Sequence, residues 1–445
     1  MLKRKIDDFL LKWKNNSNKL PLIVNGARQI GKTTSIREFS KNYESFIEIN
    51  FLLNPEYRDI FKNGYSVDNI ITSLSFLNNN FKFIKKNTLL FFDEIQSFPD
   101  CMTYLKSFAE DKNYDVICSG SLLGVNYKSI TSIPVGFKEE YQMYSLDFEE
   151  FLWALGYSSN HIEILFDNMK KLSPIADAVH KKMQNLYRDY IFIGGMPRVV
   201  DIFAQDKLFT KQIIDLQREI YLDYEDDIGK YCVGLDVIRV KRFYNQIKNQ
   251  LSKDNHKFQI TKIGHGSRQR DFEGVEEWLY EAGIINIAYN LNNLAVPFSG
   301  RENFDYYRVY FAEHSLFIAS LDEEDKNEII KDNNYEIFNG ALYESMISEA
   351  LIKQGYQLYF YKTQDATIEL DFLIRYRKNI IPIEVKRNRG RSKSLNAVIL
   401  NKNNPIKYGI KLTDGNIGFE DNKFTFPSYL SFLLKRFFEE TDYIK

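Results

Sequence analysis

The sequence predicts an α/β protein built from several domains. With 445 residues, the chain exceeds the roughly 250–300 residues at which a single hydrophobic core stops growing, and its length suggests about three domains. Near the N-terminus an apolar run, a glycine-containing loop and a helical pattern follow one another, and near the C-terminus two alternating strands follow a helix. We therefore expect a parallel-sheet core, helical segments and a second α/β domain.

Composition and charge are those of a globular protein without a membrane span or a disulfide framework. Apolar residues make up 44% and charged residues 27% of the chain, as in ordinary globular domains. Lys and Arg number 59 against 60 Asp and Glu, a net charge of -1, so any nucleic-acid binding requires a local basic patch. The three cysteines lie far apart, without metal-ligand or disulfide spacing, and no apolar stretch approaches the roughly 20 residues of a membrane span. We expect a cytoplasmic protein without a membrane anchor.

A phosphate-binding pattern occupies the start of the chain. Gly26 is followed by four residues and then by Gly31, Lys32 and Thr33, in the sequence NGARQIGKTT. The apolar run PLIVN precedes this loop and the amphipathic pattern TTSIREFS follows it, which places the loop between a strand and the N-terminus of a helix. The residues expected to contact the nucleotide are Gly26, Arg28, Gly31, Lys32, Thr33 and Thr34.

The individual residue types suit a nucleoside triphosphate with Mg²⁺. Glycines let backbone N–H groups turn toward phosphate oxygens, Lys32 brings a positive charge to the β- and γ-phosphates, and the Thr33 hydroxyl is a ligand for Mg²⁺. The apolar run TLLFF ends at Asp93 and Glu94. Asp93 is expected to hold the metal and its water shell, and Glu94 to polarise the attacking water. The alternative is that these acids merely end a strand.

A third apolar strand, DVIC, runs into Ser119, Gly120 and Ser121. We expect this strand to lie beside the strand that ends in Asp93, so that Ser119, or else Ser121, lies near the γ-phosphate. A simple glycine-serine turn explains the same three residues.

Several of these segments together resemble one protein family. The runs GARQIGKTT, LLFFDEIQ, SGSLLG, IPVGF, SLDFEEFLWALG and GGMP are similar in order and spacing to AAA-type ATP-binding proteins of bacteria and archaea that carry a C-terminal domain of unknown function, DUF4143. Asp147 stands where that family usually has Ser or Thr, and Phe137 where Arg or Lys often follows the glycine. These departures leave the arginine finger unassigned. Arg28, which matches an Arg common in the family's loop, and Arg198, which follows the GGMP turn, could each contact phosphate, and a surface position is the alternative for both.

The resemblance and the patterns together divide the chain into four modules. They are a P-loop ATPase core at residues 1–144, a helical lid at 145–205, a winged-helix-like module at 206–300, and a nuclease-like α/β domain at 301–445. The third module is inferred from a helix RFYNQIKNQLS, a segment KFQITKIG, a second helix RQRDFEGVEEWLYEAGI and a strand INIAYNL. The basic residues Lys262, His265, Arg268 and Arg270 would contact DNA phosphates, but acidic residues on the same helix favour a protein-interaction or spacer role.

The C-terminal domain carries a constellation suited to phosphodiester chemistry. Asp371 lies on one predicted strand, and Glu384 and Lys386 share a face of the next, with a basic hairpin between the strands. Two carboxylates, Asp371 and Glu384, can hold Mg²⁺, and Lys386 can orient or deprotonate water. With Glu344 on a preceding helix, the set resembles the PD-(D/E)xK nuclease core, and the following run KRNRGRSK suits a nucleic-acid backbone. An ordinary cross-strand ion pair is the alternative.

These observations predict an ATPase, with ATP and Mg²⁺ as cofactors, whose nucleotide cycle controls the nuclease-like module on DNA or another nucleic acid. The alternative is a regulatory or signalling switch that binds a protein or nucleic-acid partner without cutting it. Pathway, partner and oligomeric state are not determined by the sequence.

Overall fold

The structure, a computed structural model, describes residues 1–63, 66–121, 136–232, 234–251, 257–264, 266–322, 326, 339–386, 392–401 and 404–444. The chain forms two compact units. Unit 1 comprises residues 1–145, 230–233 and 281–283, and unit 2 comprises residues 146–229, 234–280 and 284–445.

Unit 1 is built on a parallel five-stranded sheet with helices along the chain between its strands. The strands are β1 (Leu22–Gly26), β2 (Ser45–Asn50), β3 (Thr88–Asp93), β4 (Asp115–Ser121) and β5 (Glu139–Gln142). The helices are α1 (Lys5–Asn15), α2 (Lys32–Phe39), α3 (Val67–Leu77) and α4 (Leu105–Asp111). The strand order is β2-β3-β4-β1-β5, and every neighbouring pair is parallel. Parallel strands end at a common edge, and this order brings the ends of β1, β3 and β4 together there.

Burial follows the position of each strand in this sheet. The central strands β1 and β3 are buried at every residue, whereas β2 and β5, at the edges, alternate between more and less buried positions. Continuous apolar runs such as TLLFF are what a strand covered on both faces requires. Unit 1 therefore has the parallel sheet that the sequence predicts for its N-terminal core.

Unit 2 begins with helices and ends in a mixed α/β region. Its helices are α5 (Phe148–Ala154), α6 (Ser159–Lys170), α7 (Asp177–Ile193), α8 (Pro197–Asp206), α9 (Lys211–Tyr231), α10 (Val237–Leu251), α11 (Val275–Glu281), α12 (Ser315–Ser320), α13 (Asn339–Lys353), α14 (Lys393–Leu400) and α15 (Leu434–Glu440). Lys230 and Tyr231, at the end of α9, and Glu281, at the end of α11, are counted in unit 1. The strands of unit 2 are β6 (Ile285–Leu291), β7 (Glu302–Phe311), β8 (Leu358–Lys362), β9 (Glu369–Tyr376), β10 (Asn379–Lys386), β11 (Gly409–Thr413), β12 (Gly418–Glu420) and β13 (Lys423–Pro427).

These eight strands form one mixed sheet in the order β12-β13-β11-β10-β9-β8-β6-β7. β9 and β10 are antiparallel and are joined by the tight turn predicted around residues 377–379. Part of the core under this sheet gathers apolar residues of β8, β9 and β10 with Leu395 and Val398 of α14. The chain is thus an α/β protein of more than one domain, as the sequence predicts.

The predicted third module shares its last strand with the C-terminal sheet. β6, expected as the final strand of the 206–300 module, pairs antiparallel with β7 and parallel with β8. The predicted boundary at residue 300 therefore falls between two hydrogen-bonded strands. A strand pattern shows that a segment is extended, but the choice of its partners depends on residues distant in sequence.

The second predicted helix of that module also differs from the expectation. Residues 269–272 form a 3₁₀ turn, and α11 begins only at Val275, after Gly274, whose φ is +79°. A left-handed residue cannot continue an α-helix, so the helical pattern is interrupted there. Lys262, Arg268 and Arg270 are exposed and precede α11 rather than lying on it, while His265 is outside the described residues.

Candidate functional sites

The phosphate-binding loop connects β1 directly to α2. Gly31 has a φ of +94° and immediately precedes α2, which begins at Lys32. A Cβ on Gly26 would lie 2.4 Å from the carbonyl oxygen of Met143. Neither position accepts a larger residue without distortion, which explains why the loop carries glycine at both. The N–H groups of the first turn of α2 consequently face the loop, as an anion site at a helix N-terminus requires.

Lys32 lies folded back against the loop. Its Nζ donates hydrogen bonds to the carbonyl oxygens of Gly26 at 2.9 Å and Ala27 at 2.6 Å, and the residue is 9% exposed. Burial lowers the pKa of Lys32 to about 8, although the negative charges of Glu94 and Asp93 act in the opposite direction. The ammonium group is therefore held by neutral carbonyls and lacks full charge compensation, so an anionic phosphate would be a favourable partner.

Asp93, at the end of β3, is the centre of a polar cluster. Its carboxylate accepts hydrogen bonds from Thr33 Oγ1 at 3.2 Å, from Asn50 Nδ2 at 3.3 Å and from the Ser119 hydroxyl. Burial raises the pKa of Asp93, and the Ser119 hydrogen bond opposes that rise. The Thr33 hydroxyl and the Asp93 carboxylate are hard oxygen donors that fit Mg²⁺ with part of its water shell. Magnesium bound here would offset the negative charge of a triphosphate.

Two polar residues of this site were not expected from sequence. Asn50 is the last residue of β2 and lies opposite Asp93 in the strand register. Gln96 follows Glu94 by two residues and donates a hydrogen bond from Nε2 to the Glu94 carboxylate. Asn50 could have been found from its position as a polar residue at the end of a strand next to the Asp-Glu strand. Gln96 could have been found from the run DEIQ, which contains it.

The remaining candidate residues of the nucleotide site lie outside the hydrogen-bonded cluster around Asp93. Thr34 is exposed on α2, and Ser121 donates its backbone N–H to Gln96 Oε1 at 3.2 Å. The Arg28 guanidinium lies 5.5 Å from the centre of the Tyr231 ring. Arg198 is 57% exposed at its side chain and pairs with Glu219 at 3.4 Å. Arg198 thus lies at the surface in an exposed ion pair, as expected if it does not contact phosphate.

In unit 2 the three predicted residues of the nuclease-like site lie close together on β9 and β10. Asp371 Oδ2 accepts a hydrogen bond from the backbone N–H of Val385 at 2.8 Å, and Lys386 Nζ lies 3.4 Å from Glu384 Oε1. Asp371 and Glu384 are 8% and 4% exposed. Burial, together with the negative charge of Glu344, raises the pKa of Asp371 to about 7, and Lys386 and Arg308 oppose that rise.

Glu344 on α13 has cationic and hydroxyl partners of its own. Its Oε2 accepts hydrogen bonds from Arg308 Nη1 at 3.3 Å and from the Tyr310 hydroxyl at 3.0 Å, and the other Arg308 nitrogen, Nη2, lies 2.5 Å from Glu369 Oε1. The Arg308 side chain is only 3% exposed. Both β7 residues, Arg308 and Tyr310, were missed from sequence, because a strand pattern does not reveal which helix its side chains meet.

The acidic residues of this site differ in how well they fit a divalent metal. Glu384 Oε2 is buried and has no hydrogen-bond partner within the described part of the chain, and such an oxygen is favourably placed for a cation. Asp371 and Glu384 supply the hard oxygen donors that Mg²⁺ prefers. Glu344 fits less well, because Arg308 already neutralises its carboxylate. The arginines at 387, 389 and 391 lie outside the described residues.

A second buried ionic network in unit 2 joins the segments SLDFEEF and GGMP. His314 Nδ1 lies 2.7 Å from Glu349 Oε2 and its Nε2 lies 2.9 Å from the Tyr190 carbonyl oxygen. Lys353 Nζ contacts Glu349 and the carbonyl oxygen of Leu146. Because a carbonyl and an ionised carboxylate only accept hydrogen bonds, both ring nitrogens of His314 must donate, which makes it an imidazolium.

Gly195 and Asp147, two residues of these motifs, each have a structural role. Leu146 N–H donates to the carbonyl oxygen of Gly195 at 2.8 Å, and Gly195 N–H donates to Glu313 Oε1 at 2.9 Å. A Cβ at Gly195 would lie 2.1 Å from the Leu146 oxygen. Asp147 accepts the Glu150 N–H at 2.9 Å and caps α5, a position where Asp, Ser and Thr are all favoured. Its departure from the family pattern therefore preserves the cap.

Glu313, His314 and Glu349 also form the one group of three metal-type ligands within 4.8 Å of each other that occurs among the described residues. Their ligand atoms are engaged internally. His314 and Glu349 bond each other, and Glu313 Oε1 accepts from the N–H of Gly195 and the hydroxyl of Ser315. We interpret the group as a charge network that holds these segments together.

We expect this network to give a characteristic pH dependence of stability. Burial alone would raise the pKa of Glu349, but Lys353 and His314 lower it to about 2. The contribution of Glu349 to the free energy of unfolding is therefore present above its unfolded pKa of about 4.3 and is lost as pH falls toward 2. Burial alone would lower the pKa of His314, but Glu349 raises it, so that contribution is present below about 6.5 and is lost as pH rises through the folded pKa.

The variant His314→Gln tests this expectation in the whole chain. We expect it to lower the free energy of unfolding by about 3 kcal/mol near pH 6, because it removes one of the two cationic partners of the buried Glu349 carboxylate. Denaturant unfolding at several pH values should show a smaller difference from wild type above the folded His314 pKa. Glu219→Gln, which breaks an exposed pair with Arg198, is the control. A difference constant from pH 5 to 9 would contradict the imidazolium assignment.

Comparison with known proteins connects these sites to families. Residues 18–152 match the model of an AAA domain, residues 184–327 match a domain of unknown function (DUF8612), and residues 339–430 match a domain of unknown function (DUF4143). No curated protein matched significantly. Over the described residues, no helix is both long and apolar enough to cross a membrane.

Solved structures that resemble the chain do so at low identity. The Walker-type ATPase PABY2304 of Pyrococcus abyssi is 13% identical with a TM-score of 0.43, and the match covers 72% of this chain and 96% of that one. PCH-2 of C. elegans is 12% identical with a TM-score of 0.27, over 45% of this chain and 60% of that one. Drosophila ORC bound to DNA is 12% identical with a TM-score of 0.27, and the match covers 74% of this chain and 94% of that one. From the family models, the chain carries an N-terminal AAA domain and a C-terminal DUF4143 domain.

Proposed function

We propose that the chain binds ATP with Mg²⁺ at the loop of unit 1 and hydrolyses it. The observation that carries this proposal is the convergence of Lys32, Thr33 and Asp93 at the common edge of β1, β3 and β4. Lys32 supplies charge for the β- and γ-phosphates, and Thr33 with Asp93 supplies the oxygen donors for the metal. Glu94 directly follows Asp93 at the end of β3, and its carboxylate would polarise the attacking water.

Calorimetry with ATP and Mg²⁺, followed by phosphate-release kinetics, tests this function. We expect wild type to bind and hydrolyse ATP, and Glu94→Gln to bind with similar affinity while kcat falls by roughly 100-fold, because the amide cannot accept a proton. Glu420→Gln removes an exposed acid of β12 and should leave both quantities unchanged. If wild type released no phosphate above background at any Mg²⁺ concentration, hydrolysis would be excluded from the proposal.

We further propose that the nucleotide cycle controls a C-terminal module that acts on nucleic acid. The supporting observation is the arrangement of Asp371, Glu384 and Lys386, with one carboxylate oxygen buried and unpartnered among the described residues. In this module Asp371 and Glu384 would hold the metal. Burial alone would lower the pKa of Lys386, but the charges of Asp371 and Glu384 raise it, so Lys386 would orient the attacking water as an ammonium group. The module is proposed to include β6 and β7, because they belong to the same sheet.

A second candidate function is a switch that binds its partner without cutting. The ion pair between Arg308 and Glu344 favours it, because a buried guanidinium compensates the helical acid that would otherwise complete a metal site. Under this candidate the sheet and its basic residues bind a partner, and the nucleotide state of unit 1 regulates that binding. Cleavage assays on variants of Asp371 and Glu384 separate the two candidates.

A further inference from the structure

Gln96 lies between the Asp-Glu strand and the neighbouring strand β4. It is 8% exposed and belongs to the short 3₁₀ turn that follows Glu94. Its side-chain Nε2 donates to Glu94 Oε2, and its Oε1 accepts the backbone N–H of Ser121 at 3.2 Å. One buried amide thus connects the carboxylate expected to activate water with the backbone of the strand expected to lie near the γ-phosphate.

The orientation of this amide follows from the chemistry of its two partners. An ionised carboxylate only accepts hydrogen bonds, so the NH₂ group must face Glu94, and a backbone N–H only donates, so the carbonyl oxygen must face Ser121. Both ends are satisfied in one orientation and neither is satisfied in the flipped one. Residues that offer an acceptor and a donor at this reach are Gln and, with a shorter side chain, Asn.

The surrounding backbone is shaped to allow this contact. A Cβ on Gly120 would lie 3.1 Å from Gln96 Oε1 and 2.8 Å from the Ile95 side chain. Glu94 itself has φ +56° and ψ +43°, a conformation that non-glycine residues rarely adopt. In addition, Ser119 on β4 bonds the carboxylate of Asp93. Both acids of the pair are therefore connected to β4, Asp93 through Ser119 and Glu94 through Gln96.

We propose that Gln96 is a positioning residue for ATP hydrolysis, which holds Glu94 toward the phosphate site and links it to β4. This inference rests on the proposed ATPase function. Glu94 directly follows Asp93, whose carboxylate accepts a hydrogen bond from the Thr33 hydroxyl of the loop, so Gln96 holds a carboxylate that adjoins the phosphate site. A water-activating carboxylate that rotated freely would spend less time in the reactive geometry, and small misplacements of catalytic groups reduce kcat strongly.

Two substitutions at this position test the proposal in the full chain. Gln96→Ala removes both hydrogen bonds, and Gln96→Glu keeps an acceptor for Ser121 while placing a second carboxylate against Glu94. We expect kcat to fall by roughly 10- to 100-fold in each, with KM for ATP within about twofold of wild type. Gln212→Glu, an equal charge change at an exposed position of α9, is the control.

A double-mutant cycle distinguishes positioning from a general structural role. If Gln96 acts through Glu94, adding Gln96→Ala to Glu94→Gln should change kcat by less than about threefold, although the single change has a large effect. Gly120→Ala supplies a second route, because its new methyl group would crowd the Ile95 side chain and Gln96 Oε1 without removing a hydrogen-bonding group. It should reduce kcat while leaving KM unchanged.

The proposal is overturned if Gln96→Ala and Gln96→Glu keep kcat within twofold of wild type, or if the effects of Gln96→Ala and Glu94→Gln are fully additive. Either result leaves the ATPase proposal intact, since wild-type hydrolysis is measured in the same experiment. Absence of hydrolysis in wild type would instead remove the proposed function and, with it, this role of Gln96.

Discussion

Lys32→Ala is expected to weaken ATP binding by about 10- to 100-fold, as loss of a charged hydrogen-bond donor to the triphosphate typically does. The structure adds a second expectation. Because the pKa of Lys32 is lowered to about 8, wild-type affinity for ATP should fall as pH rises above about 8, where the unliganded lysine loses its proton. In Lys32→Ala this part of the pH dependence should disappear. Calorimetric titration with ATP and Mg²⁺ between pH 7 and 9.5 measures both effects.

Lys12→Ala is the matched control for this experiment, because Lys12 is exposed on α1. Its affinity for ATP should equal that of wild type at every pH. If Lys32→Ala bound ATP as tightly as wild type at pH 7, the assignment of the loop as the phosphate site would be wrong, whatever the fold of unit 1.

Asp371→Ala and Glu384→Ala are expected to abolish metal-dependent phosphodiester cleavage, with losses of about 100-fold or more, while ATP hydrolysis is kept. The two carboxylates supply the oxygen donors of the proposed metal site, whereas the proposed nucleotide site lies in unit 1. Because burial raises the pKa of Asp371 to about 7, cleavage and metal binding should increase as pH rises through about 7, where this group loses its proton. Supercoiled DNA, linear DNA and RNA are incubated with Mg²⁺ or Mn²⁺, with ATP, without it, and with a non-hydrolysable analogue.

Glu420→Ala, an exposed acidic residue of β12, controls for loss of charge in this experiment. If no substrate were cut under any of these conditions and calorimetry showed no metal binding that depends on Asp371 and Glu384, cleavage would be excluded and the switch would be the better function. In that case neutralising the arginines at 387, 389 and 391 should still weaken nucleic-acid binding and reduce its salt dependence.

Local sequence determined the candidate nucleotide site to a large extent. The strand, the loop and α2 lie within fewer than 20 consecutive residues, and each glycine is required by the backbone at its own position. Burial on both sides is encoded directly in the apolar run of β3, so the place of Asp93 at its end could be read from the pattern. The β9–β10 hairpin is local in the same sense, and the expected proximity of Asp371 to Glu384 and Lys386 followed from strand period and a short turn.

Contacts between distant segments were decided by the tertiary structure. Arg308 and Tyr310 reach Glu344 across 36 and 34 residues of sequence, and His314 reaches Glu349 across 35. No local pattern specifies such partners, because periodicity assigns a face to a side chain but not the element that packs on that face. The same limit explains β6, whose strand pattern was recognised while its place in the C-terminal sheet was not.

The sequence alone therefore determined which residues could bind phosphate and metal, since that chemistry resides in residue type and short spacing. Only the folded structure decided how far neighbouring groups compensate the charge of each of these residues. Packing brought a buried guanidinium to Glu344, left one oxygen of Glu384 without a partner among the described residues, and placed Gln96 between Glu94 and β4. Charge compensation depends on distance and burial, and both are set by the assembly of segments far apart in the chain.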